Sequence, residues 1–357
     1  MPDHRPATPI IDFRSDNTGR AAPEIIAALT AANEGTAAGY GGDEWTALLQ
    51  RRFGEVFETK VQVFPVATGT AANALALAAL GPSWGAVYCS EQAHVNTSEA
   101  NATGFFGGGA KLTPVAGPHG KIAVDALAAV LATAGAGQTH RSQPAAVTLT
   151  QASDLGAVYS LDEIRAITAL ARKHGIKAHM DGARFANALA RLGCSPAEMT
   201  WRAGIDALSF GVTKNGGLLC DAIVVFNPDA TPSLAVQLRR AGQVWSKMRF
   251  AAAQLLAYVE DELYLRNARQ ANGIAARIAA GLRDLSGVTL LAPIEANEIF
   301  LQLPAAVMDG MEADGVRFFR RPGNIARFVC RFDAPPDEAD ALLASLRRHL
   351  DAKGSLS

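Results

Sequence analysis

The sequence predicts an α/β fold in which a mostly parallel sheet is sandwiched by helices and followed by a smaller C-terminal α+β domain. Two observations carry this. From Val61 onward short apolar runs alternate with helix-length segments, which implies crossover units and a sheet covered on both faces. At 357 residues the chain also exceeds what one hydrophobic core usually serves, so more than one domain is expected.

Residues 1–44 read as an N-terminal segment. Its helix opens at Pro23, where a fixed φ suits the first turn, in P-E-I-I-A-A-L-T-A-A. The loop G-Y-G-G-D-E then brings Asp43 to cap the next helix, whose Trp45, Leu48, Leu49, Phe53, Val56 and Phe57 form an apolar face. Residues 45–245 form the large domain, with strands expected at V-Q-V-F-P-V, A-V-Y-C-S, A-A-V-T-L-T, I-K-A-H-M-D, I-D-A-L-S-F and A-I-V-V-F. A helical stretch from about Leu234 to Ala268 leads into a small domain, 246–357, with strands at E-I-F-L-Q-L and R-F-V-C-R-F.

Composition narrows the function. Apolar residues make up 49% and charged residues 19%, the balance of a folded enzyme, and a net charge of −1 leaves no footprint for nucleic acid or an anionic membrane. Cys89, Cys194, Cys220 and Cys330 lie far apart, so neither a zinc site nor a disulfide framework is expected. Residues 61–90 carry no charge, but Pro65, Gly69, Thr70, Asn73, Gly81 and Pro82 divide the run into strand, loop, helix and turn. The N-terminus lacks the apolar run of a signal peptide, and a soluble cytoplasmic protein is expected.

In a parallel sheet ligands gather at the carboxyl ends of strands. After V-Q-V-F-P-V comes A-T-G-T-A-A-N, where Gly69 and Thr70 stand at a helix start suited to a phosphate. After I-K-A-H-M come Asp181 and Arg184; after I-D-A-L-S-F comes Lys214, one of eight lysines in the chain. Singly, each has a bland reading as a turn former or solvated loop residue. Together they supply what pyridoxal phosphate needs: an amine for a Schiff base, a carboxylate for the ring nitrogen and a cradle for the phosphate. No G-x-G-x-x-G follows a strand, which disfavours a nicotinamide oxidoreductase.

The ordered set D-F-R-S-D-N-T, A-G-Y-G-G-D-E, F-P-V-A-T-G-T-A-A-N, E-Q-A-H-V-N-T-S-E-A, H-M-D-G-A-R-F-A-N-A, S-F-G-V-T-K-N-G-G and I-A-R-F-V-C-R-F-D resembles the threonine aldolases, fold-type I pyridoxal-phosphate enzymes within the wider β-eliminating lyase family. The resemblance spans essentially the whole chain. It implies that Lys214 carries the cofactor, that Asp181 faces the pyridine nitrogen, that His94 stacks on the ring, and that Gly69, Thr70 and Thr213 help hold the cofactor. It places Ser15, Arg184 and Arg327 on the substrate carboxylate, and has Tyr40 and Arg249 reach an active site across a subunit boundary in a homodimer or homotetramer. The implied reaction is retro-aldol cleavage of a β-hydroxy-α-amino acid, threonine or allo-threonine, to glycine and an aldehyde, and no metal ligand is assigned.

Two positions depart from the family pattern. Where many relatives have a histidine after the A-A-V-T-L-T strand, this chain reads Q-A-S-D-L-G, so Ser153 or Asp154 stands there and the base for the β-hydroxyl is unassigned. Asn215 follows Lys214 where glycine is common. Both are expected to shift the substrate range. A β-eliminating lyase or aminotransferase of the same architecture is the alternative reading, and a non-catalytic ligand-binding protein a remote one.

Overall fold

The computed structural model describes residues 10–283 and 285–354. Its centre is a seven-stranded sheet of β1 (Gln62–Val66), β2 (Gly85–Ser90), β3 (Lys111–Val115), β4 (Gln143–Thr150), β5 (Lys177–Gly182), β6 (Ala207–Phe210) and β7 (Asp221–Val225), in spatial order β1-β7-β6-β5-β4-β2-β3. The sheet is parallel except that β7 runs antiparallel to both β1 and β6. The reversal follows from chain length: only residues 211–220 join β6 to β7, too few for the helical crossover that parallel neighbours need. Pro65, which has no N–H to donate, sits on the edge strand β1.

Six helices matter for the site: α1 (Pro23–Ala32), α2 (Glu44–Val56), α3 (Gly69–Leu80), α4 (Arg249–Val259), α5 (Leu263–Leu282) and α6 (Pro336–Gly354). Every residue of α3 from Ala72 to Leu80 is buried, which explains why the uncharged run is apolar on all sides. Among the described residues no helix is long and apolar enough to cross a membrane. Asp43 caps α2 as expected, its Oδ1 accepting from Thr46 N at 2.8 Å.

A second sheet of four strands, β8 (Thr289–Leu290), β9 (Glu298–Gln302), β10 (Phe319–Arg321) and β11 (Ile325–Val329), is antiparallel throughout. Its core joins Ile299, Leu301 and Phe328 to Leu342 and Leu346 of α6, and takes in Phe13 from the N-terminal segment. The large core includes Ala252, Leu255 and Tyr258 of α4 and Tyr264 and Ala268 of α5, whereas Ile274, Ala275 and Ile278 further along α5 belong to the second core. The change of core therefore falls within α5.

The helical stretch expected from Leu234 to Ala268 is three helices, not one. It breaks at Gly242, in the left-handed region with φ +70°, and at Asp261 and Glu262, with φ +45° and +53°, in an exposed acidic turn. Strand β3 was not expected from the sequence, because K-L-T-P-V is short and half polar.

Candidate active site

The amine of Lys214 is held open by a turn fixed on both sides of it. Asp221, at the start of β7, accepts from Val212 N at 2.8 Å and Thr213 N at 3.1 Å. The Thr213 hydroxyl donates to Cys220 O at 3.2 Å, closing the same loop. On the far side, Asn215 Nδ2 donates to the Tyr258 hydroxyl at 2.7 Å and to Tyr264 O at 2.8 Å, and Asn267 Nδ2 donates to Asn215 O at 2.9 Å. Gly216 has φ +107°, and a Cβ there would lie 2.7 Å from Asn267 Nδ2, so glycine is required. Lys214 is half-buried, with no hydrogen bond or ion pair among the described residues. Asn215, expected to alter the substrate range, is an anchor whose amide is engaged by α4 and α5.

Phe210 at the end of β6 and Phe185 just past Arg184 pack with ring centroids 5.7 Å apart, and Phe210 lies 5.3 Å from Phe53 and 5.8 Å from Tyr258. This aromatic cluster fixes the strand ends from which Asp181, Arg184 and Lys214 project.

Asp181 on β5 is in register with Thr150 on β4 and Ser209 on β6. Its Oδ1 accepts from Ala183 N at 3.0 Å and its Oδ2 from Asn73 Nδ2 at 2.9 Å. The same Asn73 amide donates to Glu99 Oε1 at 2.9 Å, and that oxygen accepts from His94 Nδ1 at 2.8 Å. A chain thus runs from buried Asp181, Asn73 and Glu99 out to the partly exposed His94. The bond to Glu99 raises the His94 pKa and fixes the tautomer with Nδ1 protonated. Behind Asp181, His179 sits between Thr148 at 2.8 Å and Ser209 at 3.0 Å; burial pushes it down to about 4, so it is a neutral brace. Asn73 and Glu99 lie within segments quoted above, yet only the folded arrangement shows their joint role.

Helix α3 starts at Gly69 with Thr68 as its cap, the hydroxyl accepting from Ala71 N at 3.1 Å. The Gly69 Cα faces Asp221, whose Oδ2 lies 3.7 Å from where a Cβ would stand. The helix start, with its unpaired N–H groups, therefore abuts the carboxylate that fixes the Lys214 turn.

Ser15 caps the turn Asp16–Thr18, its Oγ accepting from Asn17 N at 3.1 Å. This turn is docked beside Lys214 through Ala22 N and Gly216 O at 2.8 Å. Arg184 Nε and Nη2 lie 2.9 and 3.3 Å from the two oxygens of Asp16, and Nη1 lies 3.0 Å from Glu298 Oε2. Burial opposes the Arg184 charge, but Asp16 and Glu298 more than offset it and its pKa rises. The fork expected to take the substrate carboxylate is thus already engaged within the protein. Arg327 on β11 is held more loosely: its Nε is 3.4 Å from Glu298 Oε1 without hydrogen-bond alignment, and burial lowers its pKa against the pull of Glu298.

Tyr40 and Arg249 make no hydrogen bond or ion pair to the Lys214, Asp181 or Arg184 side chains among the described residues. Tyr40 N donates to Ser246 O at 3.2 Å, and Arg249 Nη1 to Gly35 O at 3.4 Å, beside a cavity of about 200 Å³. Tyr40 is 59% exposed. Of the two residues in the departing loop, the Ser153 hydroxyl donates to His119 O at 2.7 Å and accepts from Ala157 N at 3.1 Å, while Asp154 Oδ2 is buried without a partner.

The model of the β-eliminating lyase family matches residues 12–306. The chain belongs to that family. Among curated members, this β-eliminating lyase homologue is 43% identical over 94% of its length to a low specificity L-threonine aldolase of Pseudomonas aeruginosa, of which 96% is covered. It is 41% identical to a protein of the same name from a Pseudomonas species, covering 95% of this chain and 98% of that one. The solved threonine aldolase of Leishmania major shares the fold, with a TM-score of 0.88 at 24% identity over 95% of this chain and 99% of the other. In this chain the donor set fits a phosphorylated aldehyde: an amine without a partner among the described residues, a buried carboxylate on the paired strand and a glycine-threonine helix start abutting Asp221, with Asn73 Oδ1, Glu99 Oε2 and Asp154 Oδ2 buried without partners.

Proposed function

We propose that the chain is a pyridoxal-phosphate aldolase that cleaves L-threonine, L-allo-threonine and related β-hydroxy-α-amino acids to glycine and an aldehyde. The relationship to the Pseudomonas proteins along nearly the whole chain supports this, and the observation that carries it is the Lys214 amine, without a partner among the described residues, in a turn fixed by the Asp221 that abuts Gly69 and following the strand paired with that of Asp181. When bound, the cofactor supplies an electron sink for the bond broken at Cα.

The protein's own groups do the rest. Lys214 provides the amine that links the cofactor, and Asp181 presents a carboxylate to its ring nitrogen, favouring the protonated ring. Gly69 and Thr70 receive the phosphate at the start of α3. Arg327 binds the substrate carboxylate with its two Nη groups, while Arg184, braced by Asp16 and Glu298, contributes position and positive field. The carboxylate so held orients the Cα–Cβ bond, and orientation selects which bond breaks. Tyr40 and Arg249 serve the site of a second copy, which makes the working unit at least a homodimer; the exposed Tyr40 ring supports that reading.

The test is incubation of the purified protein with L-threonine and pyridoxal phosphate. Equal amounts of glycine and acetaldehyde are expected. Ammonia with a 2-keto acid would mean elimination instead, and transfer of the amino group to an added keto acid would mean an aminotransferase.

A further inference from the structure

We infer that Asp154 is the group that takes the proton from the substrate's β-hydroxyl; the assignment rests on the aldolase reading above. Asp154 follows β4, whose last residue, Thr150, is in register with Asp181. It stands in a turn with little freedom: Ser153 N donates to Ala157 O and Gly156 N to Ser153 O, both at 2.8 Å, and Ser153 Oγ is tied to His119. Gln151 fastens the base of the loop, its N donating to Asp181 O at 2.8 Å and its side chain pairing with the Tyr159 backbone at 2.9 Å on both atoms.

The same turn lies against the arginine-binding strand. Gly156 has φ +80°, and a Cβ there would lie 3.0 Å from Glu298 O. Asp154 is therefore held between the end of β5 and β9, where the cofactor carboxylate and the arginine pair meet. The charges that reach it come from Asp181, Glu298, His94, Lys214 and Arg184, with the Cys89 thiol and Tyr159 hydroxyl also near. No cation pairs with it among the described residues, and Oδ2 is buried without a hydrogen bond.

Among the described residues Asp154 has neither a hydrogen bond nor an ion pair, whereas Asp16 and Asp181 have both oxygens engaged. Burial first, then Asp181 and Glu298, raise the Asp154 pKa to about 7, so both protonation states are populated near neutrality. His94 is less suited to accept a proton, because Glu99 favours its charged form.

The step balances within the site. As Cα–Cβ breaks, the hydroxyl proton moves to Asp154 and the O–H pair becomes the second bond of the aldehyde carbonyl. The Cα–Cβ pair stays with the glycine fragment.

The experiment compares wild type with Asp154→Asn in two reactions of the cofactor-loaded protein. Cleavage of L-threonine needs the base. Exchange of the glycine α-proton with deuterated water needs the cofactor and the arginines but no β-hydroxyl. Expected are a fall in kcat/KM for cleavage of roughly 10²- to 10⁴-fold, exchange within about threefold of wild type, and loss of the limb near pH 7 from the cleavage profile. Cleavage unimpaired in the variant, or cleavage and exchange falling together, would overturn the assignment. Asp154→Ala gives a second route, with added formate expected to restore part of the cleavage rate and absence of rescue counting against the role. Independently of turnover, the ¹³C signal of the Asp154 carboxyl in the full-length protein is expected to titrate near pH 7, and titration near 4 would contradict it. Failure of the wild type to cleave threonine would instead remove the aldolase reading and this assignment together.

Discussion

Arg184 grips Asp16 along one edge, Nε to Oδ2 at 2.9 Å and Nη2 to Oδ1 at 3.3 Å, and both side chains are almost wholly buried. The pair joins the N-terminal turn to the end of β5, so a contact distant in sequence decides where the site's positive charge stands. Removing Asp16 leaves the buried Arg184 charge with Glu298 alone to offset it. Asp16→Ala is expected to destabilise the protein by about 3 kcal/mol and to raise KM for the amino acid, as read from urea unfolding and initial rates.

Arg327, with the freer fork, is expected to govern substrate binding more directly. Arg327→Lys replaces a planar pair of donors with a point charge, so KM for L-threonine should rise on the order of tenfold or more with a smaller change in kcat. An unchanged KM would place the substrate carboxylate elsewhere.

Lys214→Ala removes a side chain that bonds nothing among the described residues, so the midpoint of thermal unfolding without cofactor should move by less than about 2 °C. Turnover and the visible absorbance of the bound cofactor should both be lost. Retained absorbance with turnover would show that another amine holds the cofactor.

The hydrogen bond from His94 to Glu99 raises the His94 pKa. Glu99→Gln should lower it, visible as a shift of the His94 ring resonances to a lower midpoint in an NMR titration. The sign is fixed: a carboxylate favours the imidazolium and an amide does not.

Asp154 gives a pH signature in stability as well. Its carboxyl holds a proton to about 7 in the folded protein, against 3.8 in an unfolded chain, so the folded state binds the extra proton between those values. Stability from this group is present at low pH and declines as pH rises through the window, by roughly 4 kcal/mol at most. Buried His179, pushed down to about 4, acts in the opposite sense below its ordinary value of 6.5, so wild type alone would hide the effect. The difference between wild type and Asp154→Asn in cofactor-free unfolding isolates it: the variant should gain relative stability between pH 4 and pH 7.

The sequence by itself determined six of the seven strands of the large sheet, the start of α1 at Pro23, the cap of α2, and the order in which Gly69, Asp181 and Lys214 arrive at strand ends. Each is local: period, turn residue and cap are set by neighbours within a few positions. Only the tertiary structure decided that β7 runs antiparallel, that Asn73 joins Asp181 to Glu99, and that Asp16 and Glu298 engage Arg184 while Asp154 is left without a partner. These are relations between residues as far apart as 16 and 298. A carboxylate's partner is set by which strands and turns the fold brings within about 3 Å, a distance that no local pattern encodes.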